Sequence, residues 1–326
     1  MNVAIVGCGL IGQKRAKTLT GKGQLIACVD QVYDKAKQLS QLFPDCTPYT
    51  DWREMMNRPD IQIVMIATLH SSLAEIALAA VKAGKHVLIE KPGARKSIEL
   101  EPIIEAAKIS GSLVRVGFNH RYHRAFRKAR ELVDQDALGD LMFIRARYGH
   151  GGRIGYDKEW RATPELSGGG ELIDQGVHLI DLARWFLGDF SEIDGHAHTY
   201  YWNMPVDDNG FLLLKTPKKQ VAFLHASCTE WKNLFSFELY GQKGKIDING
   251  LGGSYGIERI AYYKMLPEMG PPETSIWEYP MLDDSWDIEL TEFIDDIKYN
   301  RQPAVNLQDA HAALKIVETI YRKSGL

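Results

Sequence analysis

The 326-residue sequence has only four cysteines, Cys8, Cys28, Cys46 and Cys228, and no two of them form a CxxC pair. Scattered thiols of this kind exclude a disulfide framework and a cysteine-built metal site, and they imply a reducing compartment. An excess of positive charge is missing as well. Lys and Arg number 39 against 42 Asp and Glu, a net charge of −3, which leaves no basic footprint for nucleic acid or an anionic membrane. No apolar run approaches the ~20 residues that a membrane helix needs. Nothing like a secretory leader precedes the first strand, which starts at Asn2. Repeats and low-complexity tracts are lacking too. These absences leave a cytoplasmic globular chain whose length suits two domains, each with its own core.

What is present divides near residue 120. Before it, short apolar strands alternate with helical patterns: "NVAIVG" at 2–7, "QLIACVD" at 24–30, "IQIVMIAT" at 61–68, "HVLIE" at 86–90 and "LVRVGF" at 113–118. Strands apolar on both faces, separated by helices, predict a parallel sheet covered on both sides. After a helix near 124–134 and the strand "LMFIRARYG" at 141–149, consecutive strands follow from Gly210, joined by turns such as "PKK" and "GQKG". That pattern predicts a mostly antiparallel sheet. Residues 286–299 and 307–323 read as helices. The expectation is an α/β protein, with residues 1–120 as a dinucleotide-binding domain and 121–326 as a second α/β domain built on a large open sheet.

"GCGLIG" sets Gly7, Gly9 and Gly12 directly after the first strand and at the start of a helix, with Leu10 and Ile11 between them. The first glycine permits the turn, the second lets backbone approach a pyrophosphate, and the third lets helix pack on strand. Asp30 closes the second strand, where its carboxylate would accept bonds from ribose hydroxyls and repel a 2′-phosphate. NAD is therefore favoured over NADP, although Lys35 and Lys37 nearby leave NADP open.

The stretch "GGGELIDQGVHLID" at 168–181 starts a helix that is apolar nearly all round, and so is expected to be buried. Yet Asp174, His178 and Asp181 fall at i, i+4 and i+7 as one polar line. A carboxylate and an imidazole one turn apart in a buried helix suit general base catalysis on a hydroxyl. Asp181 is expected to be structural, bonding to a neighbouring backbone N–H. Gly176 inside the helix implies a close approach of sheet or cofactor.

With "EKP" at 90–92 on the end of a strand, these motifs resemble the Gfo/Idh/MocA family of oxidoreductases, which act on sugars and cyclitols; the resemblance runs the length of the chain. It implies a Rossmann domain followed by a domain whose open sheet serves homodimer or homotetramer formation. Carried over by position, Lys91, Asp174 and His178 correspond to the family's catalytic triplet, and Glu90, Lys91 and Thr68 to cofactor contacts. "GFNHRY" places Asn119 and Arg121 near substrate or cofactor. Where many members read T-P-N followed by a histidine, this chain has "ATLHSSL", so that Leu69, His70 and Leu73 depart from the pattern.

The resemblance implies an NAD-dependent dehydrogenase of a secondary hydroxyl on a sugar, nucleotide sugar or cyclitol, with His178 as base and Lys91 as proton donor. The alternatives are a glycoside hydrolase of the same fold that retains its NAD, and a non-catalytic NAD-sensing regulator. In the loop before the helix, Arg153, Tyr156, Trp160 and Arg161 could hold the substrate by stacking or bidentate pairing. Arg121, Arg153 and Arg161 together lean toward a substrate with a phosphate or carboxylate. His70, His120, His123 and His150 are given no role, and they form no metal-ligand set.

Overall fold

The computed structural model describes residues 1–268 and 270–326, which form two compact units, Met1–Phe118 with Trp286–His311, and Asn119–Ser285 with Ala312–Leu326. The first unit carries strands β1 (Asn2–Val6), β2 (Gln24–Val29), β3 (Thr47–Tyr49), β4 (Ile63–Ile66), β5 (His86–Ile89) and β6 (Val114–Val116). Between them run helices α1 (Leu10–Thr18), α2 (Tyr33–Ser40), α3 (Arg53–Met56), α4 (His70–Lys82) and α5 (Glu101–Ser110). All neighbouring strands pair in parallel, in the order β3-β2-β1-β4-β5-β6. This is the doubly wound order, whose reversal between β1 and β4 creates a ligand crevice at the strand carboxyl ends. Val3, Ile5, Ile63, Val64, Met65, Leu88 and Ile89 are buried to 1% exposure or less, so both sheet faces are covered, as their continuous apolar runs require.

The second unit carries α6 (Arg124–Asp134), β7 (Leu141–Gly149), α7 (Pro164–Ser167), a π-helical turn (Leu172–Gly176) and α8 (Val177–Leu187). Strands β8 (Glu192–His198), β9 (Asn209–Lys215), β10 (Val221–Ser227), β11 (Leu234–Gly241), β12 (Gly244–Asn249), β13 (Glu258–Lys264) and β14 (Glu273–Tyr279) complete it. The eight strands order as β14-β13-β12-β11-β7-β10-β9-β8, and only β7 with β10 is parallel. Burial alternates along β11, as in a sheet covered on one face. The π turn and α8 lie over β7 and β10, and α6 lies over β12 to β14. The opposite face leaves Leu213, Phe223 and Ile276 between 46% and 50% exposed.

Two further helices follow, α9 (Ser285–Tyr299) and α10 (Leu307–Ser324). Leu290, Phe293 and Ile294 of α9 belong to the same core cluster as Val3, Ile5, Leu25 and Met65. A single border near 120 therefore omits the return of 286–311 to the first unit. Among the described residues no helix is long and apolar enough to cross a membrane.

Candidate functional site

In the first unit, the glycine turn is shaped by contacts that no side chain could share. A Cβ on Gly7, whose φ is +94°, would lie 2.4 Å from the Ala67 carbonyl oxygen, and one on Gly12 would lie 1.8 Å from that of Gly7. A Cβ on Gly9 would meet nothing within 4 Å. The turn is thus tight against its own strands and open where an anion could approach the start of α1. The Cys8 N–H donates to Asp30 Oδ2 and the Val32 N–H to Oδ1, both at 2.9 Å, which ties the carboxylate to the turn. This donor and acceptor set fits a dinucleotide: open backbone N–H groups for the pyrophosphate, and a carboxylate with lone pairs left for ribose hydroxyls. Leu10 is exposed, Ile11 is half-buried, and the Thr68 hydroxyl donates to the Leu69 carbonyl at 3.3 Å.

Glu90 and Lys91 follow β5, and the Lys91–Pro92 peptide is cis. Glu90 accepts from Arg15 Nε at 2.6 Å, and Arg15 is fully buried, with its other branch on Glu289 of α9. The Trp286 ring covers the guanidinium, 4.3 Å from its centroid. Arg15 drew no notice in the sequence, where a basic residue in the second turn of a helix reads as solvated.

In the second unit, the last of the three glycines answers to one aspartate. Asp207, fully buried, accepts the N–H groups of Gly170 (2.9 Å) and Leu172 (2.7 Å), so its carboxyl caps the start of the helix that carries Asp174 and His178. A Cβ on Gly170 would sit 1.9 Å from the Asp207 carbonyl oxygen, which is why glycine is required there. The Tyr321 hydroxyl accepts from Gly170 and Ile173 as well, at 3.1 and 3.3 Å. The helix opens as a π turn containing Asp174, a distortion frequent at functional sites. Gly176 faces the sheet, where an added Cβ would meet Ala226 of β10 at 3.3 Å.

Asp174 and His178 are both buried, at 5% and 4% exposure. Arg161 Nε donates to Asp174 Oδ2 at 2.9 Å, and the Arg161 guanidinium lies 4.6 Å from the Trp160 ring centroid. The His178 ring is stacked on that of His120, with centroids 3.7 Å apart. Arg121 grips Asp181 with two nitrogens, Nε at 2.8 Å and Nη2 at 2.5 Å. The guanidinium is a strong match for the Asp181 carboxylate, which has no exposure. Asn119 Nδ2 donates to Ser285 Oγ at 3.0 Å, and Arg153, exposed, pairs with Glu159 at 2.6 Å. Arg121, Arg153 and Arg161 therefore each hold a carboxylate of the chain itself.

One group near Asp174 escaped the sequence reading. Glu171 is 1% exposed; its Oε2 accepts from the Tyr156 hydroxyl at 3.4 Å and faces His150 Nε2 at 3.6 Å. Burial pushes its carboxyl up to about 7, with His150 opposing and Asp174 and Asp207 adding to the rise. Burial also lowers the His150 imidazole, but hydrogen bonding and charge from Glu171 more than restore it. The Gly152 N–H donates to His150 Nδ1 at 2.9 Å, so the neutral ring turns its Nε2 proton toward Glu171. The only sequence signal was an acidic residue opening an otherwise apolar helix, which reads equally as a cap.

Comparison with known proteins agrees with this construction. Residues 1–118 match the model of an oxidoreductase family with an NAD-binding Rossmann fold, and residues 126–247 match the GFO/IDH/MocA C-terminal domain. A levoglucosan dehydrogenase of Pseudarthrobacter phenanthrenivorans is 34% identical over 163 residues, 49% of this chain and 42% of that protein. An inositol 2-dehydrogenase of Gluconacetobacter diazotrophicus is 30% identical over 192 residues, 57% of this chain and 54% of that protein. The matched stretches thus span about half of each of these relatives. A solved levoglucosan dehydrogenase in complex with NADH superposes with a TM-score of 0.88, covering 99% of this chain and 98% of that one at 24% identity, a likeness of fold.

Proposed function

The chain belongs to the Gfo/Idh/MocA family of oxidoreductases, and from that premise we propose that it is an NAD-dependent dehydrogenase of a secondary hydroxyl on an uncharged sugar or cyclitol. The observation that carries this reading is the buried pair Asp174 and His178 on a helix distorted at Asp174 and capped by Asp207. A buried carboxylate and imidazole are retained where their chemistry is used, since burial alone disfavours both charged forms. NAD, when bound by the Gly7–Gly12 turn, Asp30 and the Thr68 and Glu90–Lys91 segments, supplies the hydride acceptor.

The rest falls to the chain's own side chains. His178 removes the hydroxyl proton, a role for which an imidazole is suited as a general base. Asp174, which accepts from Arg161 Nε, orients the imidazole or binds a neighbouring hydroxyl. Lys91 donates to the substrate oxygen, stabilising developing alkoxide and, in the reverse direction, polarising the ketone. Asn119, Tyr156 and Trp160 complete the polar and aromatic surroundings proposed for the ring. The internal pairing of the three arginines supports the uncharged class, as do the names of the two relatives above.

The test is NADH formation at 340 nm against inositols, anhydrosugars, hexoses, uronic acids and nucleotide sugars. Turnover with an uncharged member, abolished in Lys91→Ala, is the expected outcome. Silence across the panel from protein purified with NAD already bound would replace the dehydrogenase by the NAD-retaining hydrolase or the regulator. We further propose a homodimer or homotetramer through the open sheet face, where Leu213, Phe223 and Ile276 are exposed. Light scattering should return two or four times the 36.8 kDa chain mass; a monomer at micromolar concentration would refute it.

A further inference from the structure

The backbone of α8 does not by itself aim the His178 ring. The imidazole turns about an sp³–sp² torsion whose preference is broad, so the ring plane can swing at little intrinsic cost. A base that must present one nitrogen to one hydroxyl needs its ring plane set by a neighbour. His120 lies against it, with ring centroids 3.7 Å apart and planes inclined by 20°. Both rings are buried, at 5% and 4% exposure.

The ring of His120 is itself fastened. It belongs to a short 3-10 turn, Asn119–Tyr122. The Asn119 amide donates from Nδ2 to Ser285 Oγ, which leaves its Oδ1 to accept from His120 Nδ1 at 3.3 Å. The next residue, Arg121, holds Asp181, which lies three positions beyond His178 on the same helix. The turn and the helix are thus bolted together by an ion pair while the two imidazoles stack beside it. Behind the stack, His123 meets His120 edge-on at 5.5 Å and is tied to Glu258 at 2.9 Å. Tyr148 and Phe235 pack on His120 at 5.3 and 6.2 Å.

We propose that His120 is the positioning residue of His178, its ring setting by stacking the plane in which the base presents its nitrogen. The proposal rests on the reading of His178 as base, but the stack can be tested without it. Stacked rings need only a π face, so phenylalanine at 120 should preserve the arrangement and leucine should not. Misaiming a base by a fraction of an ångström costs rate without weakening substrate binding.

The experiment compares wild type, His120→Phe and His120→Leu as full-length protein, with thermal melts to confirm folding. Histidine ring protons are read by NMR on ring-labelled protein, and His178 is assigned by its loss in His178→Gln. The expected result is an upfield ring-current shift on His178 that survives in His120→Phe and vanishes in His120→Leu. With it, kcat in His120→Leu should fall about tenfold at an unchanged KM and recover in His120→Phe. Normal kcat in folded His120→Leu would overturn the proposal, as would equal loss in the two variants, which would assign the effect to the imidazole nitrogens. If His178→Ala retains turnover, the base reading fails by itself, while the ring-current result still decides the stack.

Discussion

Replacing His178 by alanine lowers turnover by at least about a hundredfold while NAD binding is retained. The magnitude is that of losing a positioned general base. Without the imidazole, the hydroxyl must give its proton to water, in a helix where the residue is 4% exposed. Cofactor binding should survive because the Gly7–Gly12 turn and Asp30 lie in the first unit, whereas His178 lies in the second. The check is steady-state NADH formation beside an NAD titration followed by protein fluorescence. Turnover within about threefold of wild type would remove His178 from the base role, and the burden would pass to the Glu171 and His150 pair.

Arg15→Leu destabilises the protein by about 3–5 kcal/mol at neutral pH, because it strands two buried carboxylates. Arg15 and Glu289 have no exposure, and Glu90 has 8%. Burial already holds the Glu289 carboxyl above its ordinary range, with Arg15 opposing; removing Arg15 raises it further. A carboxyl whose folded pKa exceeds its unfolded value makes the fold bind more protons than the unfolded chain. Stability then falls as pH rises above the unfolded value of about 4.3. The loss should therefore be smaller at pH 5 than at pH 8, measured from urea midpoints at both. A loss independent of pH would show that the carboxylates are not what the substitution strands. Because Glu90 adjoins Lys91, the same variant should also lose activity before it unfolds.

The first unit was legible because its signals are local and continuous. Runs such as "IVMI" and "HVLI" are apolar on both faces, and the glycine spacing follows a strand directly. The missed strands are those whose sequence carries little apolar pattern. β3 is three residues with a proline, β8 alternates charge with small residues, and β14 is an edge strand exposed over most of its length. β13, "ERIAYYK", is read only when its partner β12 is in place. At the candidate site, Asp174 and His178 announced themselves as polar residues in an apolar helix. Their supports did not. Arg161, His120, Asp207 and Tyr321 act across 13 to 151 positions of sequence, and no periodicity reports a pairing at that distance. The π turn at 172–176 was likewise invisible, since no residue preference in the sequence marks it.

The return of Trp286–His311 to the first unit has a consequence for synthesis. Leu290, Phe293 and Ile294 fill part of the same core as β1, β2 and β4. The amino-terminal 118 residues therefore leave the ribosome with a cavity that only a late segment can close. At ordinary elongation rates that interval is roughly 10–30 s, during which apolar strands stand partly uncovered. The nucleotide unit is encoded first and completed last, so a nascent chain stalled before residue 286 presents chaperones with an unfinished core.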